Sequence, residues 1–363
     1  MSEFVNQYIP DSVSPPGETL EEVLLERSMS QVEFADRTGR PKKTINEIVR
    51  GKAAITAETA LQFERVLGIP ASFWMLREQQ YRESLARQKE LTLFEDQTDW
   101  LSSIPVRAMV RLGWIQEFRN RAHQVEEVLR FFGVASPGSW EDIWTHDAAY
   151  RISPSFLNEP GATAAWLRKG EIEASKLESE SYDADRFKAV LHKVRAGTRS
   201  SYEGVLERLQ SQCASSGVCV VFVPELPGTR VWGATRWLGT TRPILQLSGR
   251  YKTDDHFWFT FFHEAAHVLL HGRKEVFLEE EDRQGRSQKE TEADKFAREW
   301  LIPEPQYRVF RRLGSSTCAA VSRFAYELGI APGIVVGCLQ HDGLLDRTEC
   351  NNLKKPVPIF DAD

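Results

Sequence analysis

Eight histidines, five cysteines and four methionines are all that 363 residues contain of these types, and no apolar run is long enough to cross a membrane. Cys213, Cys219, Cys318, Cys338 and Cys350 are irregularly spaced. They form no zinc-ribbon pair and leave one thiol over, which excludes a disulfide-framed secreted scaffold and fits a reducing cytoplasm. A secretion signal is lacking at the N-terminus, a phosphate-cradling glycine loop and a nucleophile motif are lacking throughout, and nothing repeats internally. The chain is thus expected to be a cytoplasmic protein that neither spans nor anchors to a membrane, with length enough for two or three separately cored domains.

Against so few histidines, one cluster stands out. His263-Glu264-Ala265-Ala266-His267 sets two imidazoles at i and i+4, one helical turn apart on one face, so both can reach one metal ion while Glu264 sits beside the first. A random pattern of this kind is expected in only about 1–2% of chains of this composition. Apolar residues on both sides, Phe257 to Phe262 and Val268 to Leu270, describe a helix buried nearly all round. Thr253, Asp254 and Asp255 supply capping side chains and Gly272 a stop. A hydrolytic site needs a third protein ligand and a position left open to water. The next helical stretch, Ser287 to Ala297, offers Glu290 and Asp294 at i and i+4. Glu290 is assigned to the metal and Asp294 to the far nitrogen of a ligating histidine, while Glu292, about 200° around the helix from Glu290, is expected in solvent.

His-Glu-x-x-His, then Glu290-x-x-Ala293-Asp294-x-Phe296-Ala297 and Leu301-Ile302-Pro303, resembles the ImmA/IrrE metallopeptidases over residues 205–345. The resemblance implies zinc held by His263, His267 and Glu290, with Glu264 as general base in peptide hydrolysis. Relatives often carry Leu-Gly where this chain has Ala265-Ala266, positions that hold no ligand. Tyr251 and His271 are candidate oxyanion donors, His271 being more in place as a hydrogen-bonder at the helix end than as a fourth ligand.

The N-terminal region follows a different plan. Ser30-Gln31-Val32-Glu33 is a capping box opening a helix that ends near Thr38-Gly39, and Pro41 opens another that ends at Gly51. Two short helices joined by a glycine turn make a helix-turn-helix. Between Ser30 and Lys52, Arg37, Arg40, Lys42, Lys43, Arg50 and Lys52 face only Glu33, Asp36 and Glu47, so this stretch is basic in a chain of net charge −6. Lys42, Lys43, Thr44 and Asn46 are assigned to the DNA groove, and Gln31, Arg50 and Lys52 to phosphates. Ile45, Ile48, Val49, Leu61, Phe63, Val66 and Leu67 are expected to close the small core.

Pro16-Gly17-Glu18, Ser30-Gln31-x-x-Phe34-Ala35, Ile45-Asn46-Glu47-Ile48, Gly51-Lys52, Ile55 to Ala60 and Phe73-Trp74 resemble the Xre-type helix-turn-helix of HigA-like antitoxins over residues 15–85. That resemblance implies a homodimer on a palindromic double-stranded DNA operator, and autorepression.

Residues 86–204 have helical periodicity at 106–120, 124–132, 163–175 and 183–196, with Trp114, Trp140, Trp144 and Trp166 either packed as core or lining a ligand-sensing pocket. Three apolar runs, 218–223, 231–235 and 244–247, predict a small sheet ahead of the metal helix. A polar loop at 283–286 is placed at the cleft mouth. The expected fold is mainly α with a small sheet (α+β): an all-α helix-turn-helix at 15–85, a helical connector at 86–204, a zincin-like α+β peptidase domain at 205–345 and a tail at 346–363. Three functions fit this plan. The first is a DNA-binding regulator whose zinc endopeptidase cleaves a partner protein, a repressor or toxin-antitoxin component. The second is an autoregulatory repressor or antitoxin whose peptidase fold senses or docks with little turnover, and the third is a purely structural zinc domain.

Overall fold

The computed structural model describes residues 13–146, 160–229, 231–250, 253–273, 275–280, 287–313 and 317–358. Tyr251 and the loop at 283–286 lie outside them. The chain divides into two compact units, Met1–Gln97 with Arg121–His123, and Thr98–Asn120 with Gln124–Asp363.

The first unit is all helix: α1 (Pro16–Glu26), α2 (Gln31–Thr38), α3 (Lys42–Val49), α4 (Ala57–Leu67) and α5 (Ala71–Glu95). Ser30 Oγ accepts from the Glu33 amide at 3.1 Å, and α2 stops where Gly39 takes a left-handed conformation (φ 67°) that costs a residue without Cβ nothing. Leu20, Leu24, Phe34, Ile45, Ile48, Phe63 and Trp74 form its core, with the Trp74 ring edge-on to Phe63 at 5.5 Å. One expected core residue is not there. Leu61 is 48% exposed, because Ala60, Phe63 and Leu67 set the buried stripe of α4 and Leu61 falls about 200° from Phe63. Val66 is only half-buried.

In the second unit, the helix expected over 106–120 ends early, as α6 (Val106–Arg111). Gly113 turns the chain at φ 67°, and the buried Gln124 side chain then binds the Phe118 amide and the Gln116 carbonyl, satisfying an irregular segment that a helix would otherwise have to pair. α7 (Arg121–Phe132) and α8 (Pro137–Glu141) follow. Trp140 and Trp144 pack edge-on against Phe132 at 5.7 and 5.8 Å, whereas Trp166 sits elsewhere and donates to the Val223 carbonyl. These three indoles are buried core residues.

α9 (Pro160–Ser175), α10 (Ala184–Gly197) and α11 (Val205–Ala214) lead into β1 (Cys219–Phe222), β2 (Val231–Leu238) and β3 (Arg242–Leu247). Then come α12 (Asp254–Leu270), β4 (Phe277–Glu280), α13 (Gln288–Leu301), α14 (Glu304–Arg312), α15 (Cys318–Leu328) and α16 (Pro332–His341). The sheet order is β1-β3-β2-β4, with β1 parallel to β3 and the other pairs antiparallel. It gains in β4 a strand that its four residues were too short to announce.

Alternation along the strands fixes which helix each face meets. Gln246 on β3 donates to the Trp166 carbonyl on α9, and Arg236 on β2 pairs with Glu171 there. Their neighbours Leu245 and Leu247 join the core that also takes Phe257, Phe261 and Phe262 of α12. α9 can lie flat because its buried face is built of Gly161, Ala162, Ala164, Ala165, Gly170 and Ala174. The sheet is thus covered by α9 on one side and α12 on the other.

Irregular cysteine spacing concealed a pair that the fold brings together: Cys318 and Cys350 form a disulfide across 32 residues, with Cys213, Cys219 and Cys338 free. Cys350 begins a strap that reaches the start of α12, where Lys354 pairs with Asp255 at 2.6 Å and the Lys355 amide donates to Asp254 at 3.1 Å. The two acids expected to cap α12 are therefore buried partners of this strap, and Thr253 makes no side-chain cap. Among the described residues no single helix is long and apolar enough to cross a membrane.

Candidate metal centre and basic helix

α12 is buried from Phe257 to Val268 apart from Phe259, as its apolar sequence requires, and α13 lies along it on the small residues Ala293 and Ala297. Small residues let the helix axes approach, which brings the face carrying Glu290 and Asp294 within hydrogen-bonding reach of the histidines. Glu290 Oε2 is 3.0 Å from His263 Nε2, Glu290 Oε1 is 3.5 Å from His267 Nε2, and the two imidazole nitrogens are 3.1 Å apart. Among the described residues, His263, His267 and Glu290 have donor atoms that converge tightly enough to hold one ion.

The opposite edges of the rings decide which atoms point inward. His263 Nδ1 donates to Asp294 Oδ1 at 2.9 Å. His267 Nδ1 is 2.9 Å from His271 Nδ1, and His271 Nε2 is in turn 3.3 Å from Glu292 Oε2. With Glu292 accepting from His271 Nε2–H, His271 Nδ1 is left to accept from His267 Nδ1–H. Both Nε2 lone pairs then face each other and the carboxylate of Glu290. Three facing lone pairs repel unless a cation lies among them, and ligand atoms on a tetrahedral ion 2.0–2.1 Å away stand about 3.3–3.4 Å apart. The donor set fits a divalent metal.

Electrostatics agree. Burial pushes the His267 imidazole down to about 4, helped by its neighbours His263 and His271, so the ring is neutral and a competent ligand at pH 7. Burial acts to raise the Glu290 carboxyl, but the imidazoles of His263 and His267 beside it outweigh that and hold the group well below the usual carboxylate range. Phe277 of β4 stacks on His267 at 4.1 Å and closes that side against solvent.

Glu264 is fully buried on the sheet side of the helix. Its Oε2 accepts from Thr235 Oγ1 at 2.6 Å, and the same hydroxyl is 2.9 Å from its backbone carbonyl. Gly233, at a register shift between β2 and β4, makes room for it: a Cβ there would stand 2.5 Å from Glu264 Oε1 and 2.9 Å from Thr260 Cγ2. Neither Thr235 nor Gly233 was singled out from sequence, although a glycine inside an apolar strand is a recognisable mark of close backbone approach. His271 is a hydrogen-bonder at the helix end, as expected. Glu292 is about half exposed yet tied to it.

In the first unit, Lys42, Lys43, Arg50 and Lys52 are exposed around α3, with Thr44 and Asn46 half-buried between them and Ile45 and Ile48 turned inward. Lys43 lies 3.8 Å from Glu47, and Gln31 Nε2 donates to Glu21 at 3.3 Å, so Gln31 is engaged within its own unit.

A His-His-Glu cluster on two packed helices beneath a small mixed sheet shares this chain with a helix-turn-helix. Residues 218–325 match the IrrE N-terminal-like domain family and residues 20–74 match the helix-turn-helix family, so the chain joins an IrrE-like domain to a helix-turn-helix. Solved structures similar to part of this chain include an addiction module antidote protein of the HigA family from Coxiella burnetii, at 29% identity over 23% of this chain and 94% of that one, TM-score 0.22. An antidote protein of a plasmid maintenance system from Nostoc punctiforme aligns at 25% identity over 23% and 93%, TM-score 0.23. The antitoxin HigA of Pseudomonas aeruginosa, solved with the higBA promoter, aligns at 29% over 23% and 92%, TM-score 0.22. No curated protein gives a significant match.

Proposed function

We propose that this chain is a dimeric DNA-binding regulator carrying a zinc-dependent endopeptidase that cleaves a partner protein, a repressor or a toxin-antitoxin component. The observation that carries the proposal is the convergence of His263, His267 and Glu290 within 3.0–3.5 Å, beside a buried glutamate that a ligand set does not need. A structural zinc site would be closed by four protein ligands and has no use for Glu264.

Zinc bound by these three residues would supply Lewis acidity toward water and the peptide carbonyl. Asp294 fixes the His263 ring through Nδ1, and His271 with Glu292 fixes His267 in the same way. Glu264 takes a proton from water as its oxygen adds to the peptide carbon and returns it to the amine nitrogen as the C–N bond breaks. Thr235 and Gly233 hold its carboxylate in place while it does so. Lys42, Lys43, Thr44 and Asn46 meet the groove of a palindromic operator, and Arg50 and Lys52 meet phosphates.

A second reading has one observation in its favour: the hydrogen bond from Thr235 engages Glu264, which suits a sensing or docking domain in an antitoxin-like repressor that rarely turns over. Labelling of protein N-termini in host cells separates the two. Expression of the active chain should create new N-termini on one or a few proteins, and stripping the metal with a chelator in lysate should stop their formation. A proteome with unchanged N-termini leaves the repressor.

A further inference from the structure

A cavity of about 350 Å³ lies between α12, α13 and α16, next to the metal centre. Trp232, Phe259, Ile334 and Cys338 give it apolar walls, and Thr260 and Asp294 complete the side toward the site. Asp294 is the residue that holds His263, and Thr260 flanks Gly233 together with Glu264. The cavity is therefore lined by the residue that holds His263 and by a neighbour of Glu264.

The buried charges in its lining are matched inside the protein, while Lys295, His256 and His341 are exposed at its edge. Asp255 pairs with Lys354 at 2.6 Å, and Arg298 makes a two-pronged contact with Asp342 that Tyr307 reinforces. What remains for a ligand inside the cavity is mainly aromatic and aliphatic surface. An apolar cavity of about 150 Å³ is enough to take up benzene, so this one has room for a phenyl, indole or branched aliphatic side chain. A polypeptide advances only about 3.3 Å per extended residue, so a chain passing Glu264 and His263 must lodge a neighbouring side chain close by.

We infer that this cavity is the specificity pocket of the peptidase, receiving a bulky apolar side chain (Phe, Leu, Met or Trp) next to the scissile bond. The identity of the occupant rests on the endopeptidase reading; the affinity for an apolar side chain does not, and two measurements on the full chain keep them apart. In the first, N-acetylphenylalaninamide is titrated against protein labelled at isoleucine methyls. The Ile334 methyl resonance should shift saturably, N-acetylglycinamide should leave it unmoved, and Cys338→Trp should abolish the shift by filling the cavity. Thr291→Trp, from the exposed rim, serves if that variant does not fold. In the second, the zinc-loaded chain digests a proteome-derived peptide library and the products are sequenced. Bulky apolar residues should be enriched more than tenfold at one position flanking the cut, and Cys338→Trp should move the preference to Ala and Gly. No Ile334 response, or cleavage without apolar preference, overturns the pocket. A methyl response in a chain that cuts nothing makes the cavity a site for a free hydrophobic ligand, overturning both its assignment as a specificity pocket and the peptidase reading.

Discussion

Glu264→Gln is expected to lower the rate of target cleavage by about 10²–10⁴, the range that a positioned general base contributes. Glutamine has the shape of the native side chain and can still accept the hydrogen bond from Thr235, so the packing against Gly233 survives. It carries no charge and cannot take the proton that water must lose. Because Glu264 lies outside the His263, His267, Glu290 donor set, metal affinity should stay within a few-fold of the parent. The new N-termini seen with the parent should vanish or appear at the reduced rate, while metal content holds. Cleavage at the parent rate removes Glu264 from the chemistry.

Replacing Lys42 and Lys43 together with Ala should weaken operator binding on the order of tenfold to a hundredfold at 0.15 M salt. Each lost phosphate contact also flattens the dependence of log affinity on log salt by about 0.9, so the slope should flatten by about 1.8 if both lysines reach phosphates from the groove edge. Both side chains are exposed at the start of α3, and the Lys43 pair with Glu47 is too long and too exposed to matter for folding. Thermal stability should therefore stay within about 0.5 kcal/mol of the parent. Fluorescence anisotropy on DNA from upstream of its own coding region, repeated across salt concentrations, reads both quantities. Unchanged affinity and slope take α3 out of the DNA contact.

Local spacing made the candidate metal cluster legible. His263 with His267, and Glu290 with Asp294, are each one helical turn apart, and a pattern of that kind declares itself in sequence before any tertiary contact is known. The capping box at Ser30 and the glycine at the end of α2 are local in the same sense. What escaped notice is set by contacts distant in the chain. Thr235 reaches Glu264 across 29 residues, the Cys318–Cys350 disulfide spans 32, and the strap at Lys354 meets α12 only after the domain has closed. Leu61 shows the complementary failure: its type suits a core, but the stripe through Ala60, Phe63 and Leu67 turns it outward. The end of α6 belongs with these, because the Gln124 side chain that stabilises the irregular segment beyond it comes from the next helix.

Metal titration of the full chain bears most directly on the proposed centre. After removal of bound metal and reconstitution with zinc, elemental analysis should find one ion per chain, His263→Ala and Glu290→Ala should hold almost none, and His271→Ala should bind about 10–100-fold more weakly because His267 loses the partner that orients its ring. A chain that takes up no metal, or one that binds it equally well without His263 and Glu290, contradicts the centre described here.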